Sequence, residues 1–311
     1  MTDPIPGGDY PIAEQDTPGT RAAARDRARE LRDLHAKQDK RRRLIVQGGI
    51  AAGILVIVAV VAIVLFLPRS QNRGPQNMLS DGIKIGADLK AVQTPGLPPG
   101  STPVPSQTND PSVVDIQLYV DYLCAECGRF EAANGDQLRA WARSGAATIE
   151  IHPVAMLTTQ SAGTQYSLRA VAAAGCVADL SPDHYFDFHA ALLTNQPEEK
   201  SEGLTDAEML DRAEAAGVTA IGQIRRCIDE KRFRSWAKEA TARALAGPIP
   251  NSSIGAIDSP LVVLVNGERF VPSADMDPKE LARFVVQAAG DAFSSNPTTT
   301  PTPSPTDTPA P

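Results

Sequence analysis

The 311-residue sequence predicts an α/β fold: a βαβ half and a ββα half, with a block of helices inserted between them. Three observations predict it. An apolar run from Val113 to Leu123 ends on Cys124-Ala125-Glu126-Cys127 and passes straight into helix-forming Gly128-Arg129-Phe130-Glu131. Residues 164–245 read as helical almost throughout. The β-branched run Leu261-Val262-Val263-Leu264-Val265 then meets Asn266-Gly267, a strong two-residue turn signal.

In chain order, Ile83-Lys84-Ile85 reads as a short strand, and the Pro- and Gly-rich stretch 93–112 as an extended loop. A strand near 113–122 leads into a helix near 125–143 that carries Phe130, Leu138 and Trp141. A second strand follows near 147–155. Within the helical block, Ser181-Pro182-Asp183 is a start signal, an N-cap followed by proline at the first helical position. Thr205-Asp206-Ala207-Glu208 has the capping-box pattern. The hairpin closes on Arg269-Phe270-Val271, and Asp277-Pro278-Lys279-Glu280 opens a last helix running to about Phe293.

Outside this domain the chain divides by composition. Residues 44–67, LIVQGGIAAGILVIVAVVAIVLFL, carry no charge and would span about 36 Å as a helix, enough to cross a hydrocarbon core. A 43-residue polar segment precedes them and no small-residue cleavage site closely follows, so they read as a retained anchor, one N-terminal transmembrane helix. Lys37, Lys40 and Arg41–Arg43 before the span, against only Arg69 and Arg73 shortly after it, are expected to put residues 1–43 in the cytoplasm and everything after Leu67 outside the cell membrane. Residues 68–82 read as a tether, 83–293 as the folded domain with its helical insertion at about 164–245, and 294–311 as a Pro/Thr tail unable to pack. Residues 44–311 hold 20 basic and 29 acidic side chains, a balance that argues against nucleic acid as a partner.

The cysteines carry the chemistry. Two thiols three residues apart on a strand-to-helix turn can close a small disulfide ring with little backbone movement. The free N–H groups and positive dipole end of the helix favour the thiolate of the first, and the thiolate is the form that attacks disulfides. Cys176 and Cys227 remain. An even cysteine count in an oxidising compartment favours a structural disulfide between them over two free thiols, worth up to about 4 kcal/mol for a loop of this length. Zinc is disfavoured, because ribbon sites need two close Cys pairs and these two have no near partners. No cofactor is expected.

Taken in order, the segments resemble a known family. Tyr119-Val120-Asp121-Tyr122-Leu123-Cys124-Ala125-Glu126-Cys127-Gly128-Arg129-Phe130-Glu131 is similar to the active-site segment of DsbA-like thioredoxin-fold oxidoreductases. Ala173 to Val177, Phe188 to Pro197 and Cys227 resemble the helical insertion of its membrane-anchored actinobacterial branch. Ser259-Pro260 followed by Val265-Asn266-Gly267 resembles its cis-proline loop and hairpin. The family dipeptide between the cysteines is commonly Pro-His or Pro-Tyr; here it is Ala-Glu, and the spacing from Pro260 to Asn266 is one residue longer than usual.

The resemblance implies a thioredoxin-like fold and a thiol–disulfide oxidoreductase acting on cysteines of exported proteins, recycled by a membrane redox partner. Reductase activity and a non-catalytic binding role are the alternatives. Cys124 is expected to be the attacking and more exposed sulfur, and Cys127 the resolving one. Pro260 is expected to be cis and to present the Ser259 backbone to substrate peptide. Glu126 would add a like charge near Cys124 and make the pair less oxidising than DsbA, unless it points into solvent and is screened. Asp121 would either relay protons or be a plain surface or first-turn carboxylate, the second being preferred.

Overall fold

A computed structural model describes residues 73–295. The expected cytoplasmic segment, the apolar span 44–67 and nearly all of the Pro/Thr tail lie outside the described residues. Among the described residues no helix is long and apolar enough to cross a membrane.

Five strands form one sheet: β1 (Ile83–Ile85), β2 (Val114–Val120), β3 (Ala147–Pro153), β4 (Leu261–Val265) and β5 (Glu268–Phe270), in the order β1-β3-β2-β4-β5. The β2–β3 pair is parallel, and the other three are antiparallel. Helix α1 (Ala125–Ser144) makes the crossover between β2 and β3, as a parallel pair requires. It ends on Gly145 at φ 74°, a left-handed C-cap that a side chain would strain. Asn266 (φ 48°) and Gly267 (φ 83°) make the tight β4–β5 turn, and α7 (Pro278–Ser295) closes the second half.

Strand β2 is central and buried on both faces, because its alternate residues serve two packing layers. Ile116, Leu118 and Val120 join Ile149, Ile151, Val263 and the helices in the main core. Tyr119 faces the other way, with Val154, Ile249, Ile257, Val262 and Leu264. Phe130 and Leu138 of α1 are buried in the main core, each worth roughly 1.5–3 kcal/mol of hydrophobic stabilisation.

The insertion comprises α2 (Tyr166–Leu180), α3 (Tyr185–Leu193), α4 (Asp206–Ala215), α5 (Ile221–Asp229) and α6 (Arg234–Ala246). Thr205 and Glu208 form the reciprocal capping box at the start of α4. Ser181 differs from its expected role. It precedes a single 3-10 turn, Pro182–His184, and its hydroxyl meets His184 Nδ1 at 3.0 Å and accepts from Thr219 N–H at 3.1 Å, tying α3 to the α4–α5 connection.

Two further differences matter for the site. The block 164–245 is not continuous helix: residues 194–205 form an irregular strap, with Asn195 (φ 49°), Lys200 (φ 69°) and Gly203 (φ 70°) all left-handed and Pro197 between the first two. The expected tether is also partly folded. Met78 is fully buried, and the Asp81 carboxylate accepts from Arg243 Nε at 2.6 Å, Arg243 Nη2 at 2.8 Å and Trp236 Nε1 at 3.0 Å. That bidentate pair docks the segment before β1 onto α6.

Candidate functional site

Strand β2 delivers the chain to the mouth of α1, where Cys124 is the N-cap residue. Cys124 and Cys127 are joined as a disulfide across Cα atoms 5.2 Å apart. Cys124 Sγ accepts from Cys127 N–H at 3.1 Å, so the sulfur itself satisfies one of the free amides of the first helical turn. A reduced Cys124 would find the same amide and the helix dipole waiting for its thiolate. Cys127 Sγ lies 3.3 Å from Pro260 O, where a reduced Cys127 thiol can donate.

Exposure does not separate the two sulfurs as expected: Cys124 is 2 % exposed and Cys127 1 %. Their asymmetry is one of position. Cys124 caps the helix, whereas Cys127 is one turn in and faces the backbone of the β4 lead-in.

Pro260 needs a correction. The cis peptide among the described residues is Gly247–Pro248; the Ser259–Pro260 bond is trans. Trans is the default for X–Pro. Pro260 O accepts from Asp121 N–H at 3.1 Å, continuing the β2–β4 ladder one step past Val120↔Leu261. Ser259 is half-buried, and its hydroxyl donates to Leu261 O at 2.7 Å.

Asp121 is not a surface carboxylate. It is completely buried, and its two oxygens accept from Leu123 N–H (2.9 Å), Leu157 N–H (2.8 Å) and Ser167 Oγ (2.6 Å). Burial pushes its carboxyl up, and those hydrogen bonds pull it back. It thereby fixes the turn that carries Cys124. Glu126 is exposed on the first turn of α1.

Sequence reasoning missed a buried polar cluster beneath the helix. Tyr122 OH lies 3.3 Å from Tyr185 OH and 3.2 Å from His189 Nδ1. His189 Nε2 is 3.8 Å from Glu131 Oε2. Burial pushes Glu131 up to about 7, opposed by Arg139 and assisted by Asp136, and pushes His189 down to about 3. Glu131 follows Cys127 by one helical turn, and that spacing was the one signal available.

The strap was missed as well. Gln196 Nε2 donates to Tyr122 O at 2.7 Å, and Ala125 N–H reaches Glu199 Oε1 at 3.4 Å. A groove of about 630 Å³ runs between α1 and the strap, lined by Gly128, Arg129, Ala132, Gln196 and Glu198 among others. Elsewhere, Cys176 in α2 and Cys227 in α5 are joined by a disulfide across Cα atoms 6.0 Å apart, both buried in the insertion. His152 stacks on Tyr119 on the far sheet face, with ring centroids 4.4 Å apart. No group of side chains able to hold a metal ion occurs among the described residues.

Comparison with known proteins agrees with this fold. A family model described as thioredoxin matches residues 109–251. Curated relatives named serine/threonine-protein kinase PknE, from Mycobacterium tuberculosis and Mycobacterium bovis, are 32 % identical over 143 residues, 44 % of this chain but 25 % of theirs. The chain therefore spans about a quarter of the length of those relatives. Among solved structures, oxidised DsbA of Mycobacterium tuberculosis is 26 % identical with a TM-score of 0.50, covering 69 % of this chain and 98 % of that one. Reduced DsbG of the same organism is 26 % identical with a TM-score of 0.50, covering 70 % of this chain and 95 % of its own. These matches extend over nearly the whole of each solved chain and support a DsbA-like thioredoxin fold for the described domain.

Proposed function

We propose that this protein is an extracytoplasmic, membrane-anchored thiol–disulfide oxidoreductase that forms or reshuffles disulfides in exported proteins through Cys124 and Cys127. The observation that carries the reading is a cysteine pair forming the N-cap and first turn of α1, with Cys127 Sγ against Pro260 O. In the oxidising direction a substrate thiolate attacks Cys124 Sγ. The Cys124–Cys127 bond breaks, and Cys127 leaves as a thiolate that takes up a proton. A second substrate thiolate then attacks the mixed disulfide, releasing the substrate disulfide and the Cys124 thiolate, which the helix mouth stabilises. Two electrons pass from two substrate thiols to the protein, and a membrane redox partner removes them again.

The location rests on the sequence: the uncharged run 44–67 and the positive charges on its N-terminal side. Two disulfides among the described residues suit an oxidising compartment. The near-complete burial of Cys124 favours a second reading, in which the pair is structural and the domain a binding module.

One experiment separates them. Cys127→Ala, expressed in the native envelope, should accumulate mixed disulfides with exported proteins, and Cys124→Ser should abolish insulin reduction and refolding activity. Absence of any trapped partner, with unchanged activity in Cys124→Ser, would leave the binding module.

A further inference from the structure

The strap between α3 and α4 lies on both sides of Cys124. Its first contact is with the residues before the cysteine: Gln196 Nε2 donates to Tyr122 O at 2.7 Å. Its second is with the residue after: Ala125 N–H points at Glu199 Oε1, 3.4 Å away. Its third explains Gly128, where an added Cβ would collide with Gln196 Oε1 and sit 3.3 Å from Leu193 O. The ends are held independently of the redox helix. Arg212 Nη1 donates to Ala191 O and Thr194 O, both at 2.7 Å, and its Nη2 donates to Asn195 O at 2.9 Å. At the far end Lys200 N–H donates to Gln160 O at 2.6 Å. Four residues, Gln196 to Glu199, are thus stretched across the helix mouth between two left-handed residues, Asn195 and Lys200.

We propose that Gln196–Glu199 is a brake on the redox centre: Gln196 holds the segment closed, and Glu199 places a carboxylate at the helix mouth, where it competes with the Cys124 thiolate. The inference deepens the proposed function and rests on it. An anion at the start of a helix is stabilised by the free amides and the dipole, but two anions there repel each other. The reduced protein therefore loses part of the thiolate stabilisation that the helix offers, and its disulfide is a weaker oxidant. Moving the strap aside removes both the cover and the charge. Other charged groups on the neighbouring elements are Glu126 and Arg129 on α1, buried Asp121 at the end of β2, Glu198 on the strap, and the Asp258–Arg269 pair beside Ser259. Among these residues the direct bond to an amide of the first helical turn is made by Glu199. It is a positioning and tuning residue rather than a catalytic one.

The test compares the wild-type protein, Glu199→Gln, Glu198→Gln and Gln196→Ala in equilibrium with reduced and oxidised glutathione, with Cys124 thiolate absorbance titrated in the reduced proteins. Glu199→Gln should raise the equilibrium constant for oxidising glutathione by about two- to fivefold, the size of one charge at a helix end. It should also move the Cys124 titration to lower pH. Glu198→Gln, which removes the same charge one residue away, should leave both unchanged. Gln196→Ala should speed the attack of glutathione on the disulfide. Equal effects from Glu199→Gln and Glu198→Gln, or no effect from Glu199→Gln or from Gln196→Ala, would overturn the brake. A wild-type protein that never exchanges with glutathione would remove the redox reading, and the brake with it.

Discussion

The two disulfides of this domain are the same bond in opposite settings. Cys176–Cys227 joins residues 51 apart in sequence, tying α2 to α5 inside the insertion. Cys124–Cys127 joins residues three apart at the mouth of α1. Cross-linking distant residues removes much freedom from the unfolded chain, whereas cross-linking near neighbours removes little. A helix start stabilises a thiolate, and a packed helix interior does not. Burial does not distinguish the pairs, since all four cysteines are at most 2 % exposed. What distinguishes them is loop length and the presence of a helix-start amide beside one sulfur, and the proposed division of roles, one pair to hold the fold and the other to exchange, rests on that difference.

The largest contrast is in exchange itself. Cys124→Ser should lose insulin-reducing activity to background while unfolding close to the wild-type midpoint. The double variant Cys176→Ser, Cys227→Ser should retain activity in its folded fraction. If both variants lose activity equally at a temperature where both are folded, the division of roles fails.

Stability should reverse the order. Losing Cys176–Cys227 should cost up to about 4 kcal/mol in denaturant unfolding, whereas opening Cys124–Cys127 with reductant should cost far less because its loop is so short. A comparable loss from the two would show that the redox pair also carries structure.

A smaller effect tests the polar cluster beneath the redox helix. Glu131 is raised to about 7, so the folded protein holds its proton more tightly than the unfolded chain does. Its contribution to stability is full below the unfolded value near 4.5 and is lost as pH rises through about 7. His189, lowered to about 3, acts in the opposite sense, costing stability as pH falls below its ordinary value of 6.5. Comparing Glu131→Gln with wild type at pH 5 and pH 8 cancels the histidine. The variant should gain on the order of 2–3 kcal/mol relative to wild type over that range, read from urea midpoints. A difference that does not change with pH would mean that Glu131 is already ionised at pH 5. The smallest effect belongs to Glu126→Gln, less than about twofold in the glutathione equilibrium, because Glu126 is exposed and, unlike the likewise exposed Glu199, accepts no hydrogen bond from a first-turn amide. A larger shift from Glu126 than from Glu199 would return the tuning role to the dipeptide.

The sheet and most helices were legible because their signals are local. β-branched runs mark β2 and β4, Asn266-Gly267 marks the hairpin, and Thr205 with Glu208 marks the start of α4. The strap was not, since helix-forming Ala190-Ala191-Leu192-Leu193 and Glu198-Glu199-Lys200 flank Pro197, and composition outvoted the breaker. The setting of Asp121 was illegible for another reason: Leu157 and Ser167 lie 36 and 46 residues away. A sequence shows a carboxylate beside a cysteine pair, but tertiary contact decides whether it is solvated or enclosed. Pro260 illustrates a borrowed expectation yielding to the ordinary trans preference of an X–Pro bond.

Because Cys124 Sγ is itself the acceptor for Cys127 N–H, oxidation state is coupled to a single peptide proton. Where reduction leaves Cys124 as a thiolate, an anionic sulfur replaces a neutral one at that position, and the proton is held by a stronger, charge-assisted bond. Its nuclear resonance and its rate of exchange with deuterium become an internal gauge of electron occupancy, readable without a dye, a substrate or a partner.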